Sequence, residues 1–333
     1  MTIKDIAKES GFAVSTVSRA LNNHPDVSRE TKEKINAIIS THKFVPNNNA
    51  RQLKQQSSKS VAVIVKGTLN TFFSIIVEHM QSLIAATDYG VQVHYIDEDA
   101  DEVLAAERIC RELKPLGIIF LGGNISTFQK RFSSIEIPCV LATTTSAELH
   151  FENLSCVGIN DVSAACRAIA YLLHNGHSKI GVLGGNRQVS YISASRYSGC
   201  QNAFDNCGKS FDESYYQKCN YNLGSAYRAT KKLLERKKDI TAIFCMSDVM
   251  AVGAMRAIHE AGLCVPKDIS LMGFDGIELG TYLVPSLATI KQPAEEIADK
   301  SVELLLLHIE KHTPAKTILL DDALIEGESV GRI

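Results

Sequence analysis

Residues 10–21 read Ser10-Gly11-Phe12-Ala13-Val14-Ser15-Thr16-Val17-Ser18-Arg19-Ala20-Leu21. Gly11 can take the positive φ of a tight turn. Beyond it, Val17, Ala20 and Leu21 fall at helical spacing on one apolar face, which turns Ser15, Thr16, Ser18 and Arg19 outward. Thr2–Glu9 upstream has the same build: Thr2 is placed to cap, Asp5 stands where a capping-box acid helps, and Ile3, Ile6 and Ala7 share a face. After an Asn22-Asn23-His24-Pro25 turn, Ser28 caps a third helix to about Thr41, with Ile35, Ile38 and Ile39 apolar. Two short helices joined by a glycine turn and braced by a third predict a helix-turn-helix. On pattern alone a plain three-helix bundle with a polar surface is the alternative. The hydroxyls and Arg of the second helix suit groove edges and phosphates, since Arg can grip guanine as a bidentate fork.

Charge is distributed to match. Residues 1–58 hold nine Lys/Arg against five Asp/Glu, a net +4, while the remainder holds 26 against 32, a net −6. A positive head on an acidic body suits a polyanion partner at the N-terminus alone. Phe44–Ser58 follows the third helix as a Pro-started, Asn-rich segment ending in a Gln/Ser linker, too polar to build a core.

From Ser60 the chain alternates β-rich runs (Val61–Val65, Val91–Ile96, Gly117–Leu121, Cys139–Ala142, Cys156–Ile159, Lys179–Leu183, Ala242–Met246, Ile269–Phe274) with amphipathic stretches. Such alternation predicts parallel sheets covered by helices, and two successive runs predict two lobes with a ligand cleft at the strands' carboxyl ends. Phe72 and Phe73 follow the first strand and Arg196 lies early in a helix. Tyr221 follows a short strand, while Ser247-Asp248 and Asp275 end apolar strands. Aromatic walls with Arg and Asp suit a polyhydroxylated ligand, although either Phe suits a core equally well and a strand-end Asp suits the cap of the next helix.

Other classes have little support. The nine cysteines stand singly, as reduced core thiols do. Cys207-Gly208-Lys209-Ser210 ends like a phosphate loop, but Ala203 occupies the position of its earlier glycine. No catalytic residue, metal site or cofactor is read from the sequence. No apolar run approaches the ~18–20 residues of a membrane span, and the N-terminus lacks an apolar secretory core. A soluble, cytoplasmic protein without a membrane partner is expected.

The motifs Thr-Ile-x-Asp-Ile-Ala, Gly-x-x-x-Ser-Thr-Val-Ser-Arg-x-Leu-Asn, Val-Ser-x-Glu-Thr and Pro-Asn-x-x-Ala-Arg-x-Leu, in this order, resemble the headpiece and hinge of the LacI/GalR regulators. The resemblance implies that Val14, Ser15 and Arg19 read bases while Thr2, Thr16, Ser18 and Asn22 contact the backbone. It implies a hinge helix from about Asn47 to Gln55 that forms on operator DNA. Leu53 would wedge into the minor groove, with Asn47, Ala50 and Lys54 also at the DNA. Ala13 departs from a frequent capping Ser.

Arg196-x-x-Gly199, Ser247-Asp248-x-Met250-Ala251-x-Gly253, Gly273-Phe274-Asp275 and Pro285-x-Leu287-x-Thr289-Ile290-x-Gln292-Pro293 extend the resemblance to a core similar to periplasmic sugar-binding proteins. Phe73, Arg196, Tyr221, Ser247 and Asp275 would face an effector. Ser247 stands for a frequent Asn, Ala142 for Asp, and Lys66-Gly67 for Pro-Asp.

The expected architecture is therefore an all-α helix-turn-helix headpiece (1–45) and a hinge helix with linker (46–59), followed by a two-lobed α/β periplasmic-binding-protein-like core (60–333). The N-lobe would take about 60–159 and 291–321, the C-lobe about 160–289 and 322–333. The expected function is a repressor that binds a pseudopalindromic operator as a homodimer under control of a sugar-like small molecule.

Overall fold

The computed structural model describes residues 3–21, 26–42, 59–67, 70–146 and 148–333. The chain divides into two compact units, Met1–Ser58 and Lys59–Ile333.

In the first unit α1 (Ile3–Ser10), α2 (Val14–Leu21) and α3 (Arg29–Thr41) close on a small core. Ile6, Val17 and Ile35 are fully buried there, joined by Ala7, Ala20 and Val27. Each large side chain so sealed contributes about 1.5–3 kcal/mol, so a handful of residues decides whether this unit folds. Gly11 ends α1 at φ +75°, and its N–H donates to the Ala7 carbonyl at 3.1 Å. That left-handed stop turns the chain into α2. Ser28 caps α3, its Oγ accepting the Thr31 N–H at 3.2 Å. His42 Nε2 lies 3.1 Å from Glu9 Oε1 and ties the end of α3 back to α1.

The second unit carries two six-stranded sheets. The first contains β1 (Ser60–Lys66), β2 (Gly90–Ile96), β3 (Gly117–Leu121), β4 (Cys139–Ala142), β5 (Leu154–Gly158) and β11 (Thr317–Leu319). Its order is β2-β1-β3-β4-β5-β11, parallel throughout. The second contains β6 (Ile180–Gly184), β7 (Tyr216–Lys218), β8 (Ala242–Cys245), β9 (Ser270–Asp275), β10 (Ala288–Lys291) and β12 (Ala323–Ile325). Its order is β7-β6-β8-β9-β10-β12, with β12 running antiparallel to its neighbour. Central strands such as β3, β5, β6 and β9 are buried along their whole length, which is why they read as unbroken apolar runs. The edge strand β2 alternates instead.

Helices α4 (Thr71–Ala85), α5 (Glu102–Leu113) and α6 (Ile125–Arg131) cover the first sheet, and α7 (Asp161–His174), α8 (Tyr191–Asn206), α9 (Leu223–Arg236) and α10 (Asp248–Glu260) the second. The chain passes to the second sheet between β5 and α7. It returns between β10 and α11 (Ala294–Lys311), whose Ile297, Ala298 and Leu305 pack into the first lobe's core with Phe72 and Ile76. It passes once more between β11 and β12. The sequence reading assigns no helix to 294–311 and no strand to β10, β11 or β12, each only three or four residues long. Among the described residues no helix is long and apolar enough to cross a membrane.

In both sheets the chain reverses direction at the second strand, β1 or β6. The crevices beside these strands open at their carboxyl ends. Both crevices feed one cleft.

Candidate functional site

The cleft has a volume of about 560 Å³ and is lined from both lobes. On the first lobe, Asn70 caps α4, its Oδ1 accepting the Phe72 N–H at 3.1 Å. This cap places Phe72 and Phe73 in the lining. Gly122, at φ +74°, makes room for the wall, because a Cβ there would sit 3.2 Å from the Phe73 ring. Lys66, at the end of β1, reaches Glu102 Oε2 at 2.5 Å, and Glu102 Oε1 accepts the Asn124 N–H at 2.6 Å. Glu102 is wholly buried. The buried carboxylate is thus paired with a partly buried cation at the cleft wall.

On the second lobe Arg196 is 4% exposed. Its Nε donates to Asp161 Oδ1 at 2.8 Å, one Nη donates to the Met246 carbonyl, and the same nitrogen stands 4.0 Å from Asp275 Oδ1. The guanidinium lies 3.6 Å from the centroid of the Phe274 ring. Asp275, held at φ 116°, also accepts from Ser247 Oγ and Gln292 Nε2, both at 2.8 Å. Burial pushes the Asp161 and Asp275 carboxyls up, and the Arg196 charge works against it in both. Tyr221 contributes a phenol hydrogen-bonded to Ser193 Oγ at 3.0 Å. Burial raises this phenol to about 12, so it faces the cleft as a neutral donor and acceptor.

Thus Phe72, Phe73, Arg196, Tyr221 and Asp275 meet in one cavity, whereas Ser247 and Asp248 do not line it. Ser247 stands behind Asp275 as its donor. Asp248 is a brace: its Oδ2 accepts the Gly276 and Ile277 N–H groups at 2.7 and 2.8 Å, and its Oδ1 accepts from Thr289 Oγ1 at 2.6 Å. Gly273 makes that brace possible, since a Cβ there would fall 2.1 Å from Asp248 Oδ1. Sequence reasoning misses Asp161 and the Lys66–Glu102 pair, whose partners are far apart in the chain. It places Gln292 within a motif without giving it a role. Two contacts also cross the cleft: the Tyr221 N–H donates to Glu98 Oε1 at 3.4 Å, and Asn124 Nδ2 donates to the Val189 carbonyl.

In the first unit the outer face of α2 presents Val14, Ser15 and Arg19 as exposed, with Thr16 and Ser18 half-buried. Ala13 precedes the helix and supplies only its carbonyl, to the Val17 N–H at 3.0 Å. Thr2, Asn22, Asn47, Ala50, Leu53 and Lys54 lie outside the described residues.

His308 and His312 stand at i, i+4 on and just beyond α11, a metal-ligand spacing the sequence reading overlooks. No group of three or more His, Cys, Asp or Glu able to hold a metal occurs among the described residues, so the pair lacks the further ligands a protein zinc site uses.

A family model for bacterial regulatory proteins of the lacI family matches residues 2–47, and one for a periplasmic binding protein-like domain matches residues 169–330. The HTH-type transcriptional regulator MalR of Clostridium butyricum is 38% identical over 335 residues, 99% of each chain. The chain belongs to the LacI family. The ribose operon repressor of Haemophilus influenzae is 30% identical, over 99% of this chain and 98% of its own. The lac repressor dimer bound to operator and the anti-inducer ONPF shares the fold, with a TM-score of 0.77, 24% identity and 99% of each chain covered. A LacI-type helix-turn-helix followed by a two-sheet α/β core is thus the architecture, as the sequence motifs lead one to expect. MalR and the ribose operon repressor are both named as transcription regulators.

Proposed function

We propose that this LacI-family protein is a cytoplasmic repressor that binds a pseudopalindromic operator as a homodimer and answers to a sugar or sugar derivative in the interlobe cleft. The observation that carries the proposal is the pairing, in one chain, of an exposed Val14-Ser15-Arg19 face with a two-lobed polar cleft. One headpiece buries too little surface for tight specific binding, and a two-fold dimer reads a two-fold site. Leu279, Tyr282 and Val284, 47, 73 and 92% exposed, form an apolar surface that a second copy would cover. Solved relatives described as a CelR–cellobiose complex and a ribose-bound regulator support a saccharide effector. Neither catalysis nor a cofactor enters this reading. Ligand would close or reorient the lobes and shift the two copies of residues 47–55 relative to each other, ordering or melting the hinge helices.

Selection of duplexes from a random pool, followed by anisotropy titration at several salt concentrations, tests this. A symmetric site with steep salt dependence is expected. Arg19→Ala should weaken that site by about 1–3 kcal/mol and relax one base position. Leu53→Ala should also lose affinity; unchanged binding would remove the wedge, and no preferred symmetric duplex would remove the whole proposal.

A further inference from the structure

The charges lining the cleft bear on the class of ligand it can admit. Among the described residues of the lining the cations are Lys66, Arg196 and Lys218. The first two are committed: Lys66 to the buried Glu102, and Arg196 to Asp161 with Asp275 beside it. An anionic ligand would meet two cations whose charge is already balanced by the carboxylates behind them, so little net positive field is left to hold it. Lys218, the third, sits exposed at the end of β7.

The acids are arranged differently. The loop after β2 contributes Asp97, Glu98, Asp99 and Asp101 to the lining. Asp101 caps α5 and pairs with Arg131 at 3.3 Å, and Glu98 accepts from Tyr221. Asp97 and Asp99 are exposed on the same loop, and neither forms an ion pair with a cation among the described residues. Apart from Lys218, the donors not already paired with a carboxylate are neutral. Asn70, Asn186 and Asn222 each accept a nearby backbone N–H at Oδ1, and each has an amide nitrogen that can donate to a ligand. Carboxylates that accept and amides that donate match hydroxyl groups and repel phosphates or carboxylates.

Size adds a second constraint. A volume of about 560 Å³ falls within the range of roughly 300–1,000 Å³ for drug-sized ligands, larger than one pyranose ring. Phe73 on one lobe and Tyr221 on the other offer rings against which sugar C–H faces can pack.

We infer that the cleft selects an uncharged saccharide of more than one ring and rejects sugar phosphates and sugar acids, with Asp97 and Asp99 as specificity determinants. The inference rests on the saccharide reading above and narrows it.

Calorimetric titration of the full-length protein would use maltose, cellobiose and trehalose, glucose, glucose 6-phosphate, glucuronate and, as a non-sugar arm, adenine and adenosine. One of the neutral disaccharides should bind at least tenfold tighter than either anion and tighter than glucose. In the double variant Asp97→Asn/Asp99→Asn the ratio of anionic to neutral affinity should rise about tenfold at low salt, the scale of a screened like-charge contact. Melting temperature close to that of the parent would show the variant folded. Tightest binding of the phosphate or the uronate, or an unchanged ratio in the folded double variant, overturns the inference while leaving a saccharide effector in place. Binding of the nucleobase or nucleoside alone, or no binding by any of these saccharides, overturns both.

Discussion

The two lobes repeat one strand order, yet their halves of the cleft hold charge in opposite ways. In the second lobe, all the lining charge but Lys218 is sunk beneath the surface: Arg196, Asp161 and Asp275 are all under 10% exposed and bonded to one another or to Ser247, Gln292 and Met246. In the first, the half-buried Lys66 is paired with the buried Glu102 while Asp97 and Asp99 stand exposed on a loop. A common fold thus fixes where a ligand sits but not how the site treats charge, which is set by side chains at strand ends. The sealed half is expensive to alter. The exposed half can vary at little cost to folding.

The largest test of this contrast is Arg196→Ala. It strips Asp161 and Asp275 of their shared counter-charge while both stay buried. The expected loss is about 3–5 kcal/mol, read as a drop of roughly 5–9 °C in melting temperature, together with loss of effector binding. A variant that melts within a degree of the parent would mean that the second lobe's network carries no such burden.

A smaller loss is expected from Phe73→Ala on the opposite wall. Phe73 is 9% exposed and borders the cleft as well as the core. Its removal should cost less than the roughly 3–5 kcal/mol of a fully sealed phenylalanine, and affinity for the effector should fall further than stability does. Chemical denaturation beside calorimetry separates the two. If stability falls by the full core amount and affinity is untouched, Phe73 belongs to the core rather than to the wall.

The same contrast between local and long-range order governs which parts of the molecule are legible in its sequence. The headpiece is legible because its signals are local: Gly11, the Ser28 cap and the Ile6, Ala7, Val17, Ala20 and Ile35 periodicity act within a few residues of themselves. The central strands are legible because burial on both faces writes an unbroken apolar run. Short strands such as β11, whose place depends on pairing with residue 156 onward, carry no such mark. At the cleft, Arg196, Tyr221 and Asp275 stand out as polar residues at strand and helix ends. Ser247 and Asp248 stand out for the same reason but serve the turn after β9, a distinction that depends on which way a carboxylate faces. The Lys66–Glu102 and Arg196–Asp161 pairs join residues 36 and 35 apart, and pairing at that distance has no local signature.

The subtlest test uses pH, because a sealed carboxyl cluster should titrate with folding where an exposed one need not. Burial, and next the neighbouring charge of Asp275, push the Asp248 carboxyl above its ordinary 3.8; hydrogen bonds from Thr289, Ile277 and Gly276 oppose this without reversing it. A carboxyl that holds its proton more tightly folded than unfolded makes the folded state the one with more bound protons. Its contribution is therefore complete below the ordinary carboxylate value and is lost as pH rises through the raised one. Asp248→Asn removes this titration, and the lost acceptor adds a cost that does not vary with pH. Relative to the parent, its unfolding free energy should fall less steeply as pH climbs from about 4 towards neutrality, by some fraction of the ~1.4 kcal/mol per pH unit that one proton can supply. Denaturant melts at successive pH values give both slopes directly. Parallel curves would mean that the carboxyl behind the second lobe's cleft titrates alike in the folded and unfolded chain, and the contrast between a sealed and an exposed half would lose its electrostatic basis.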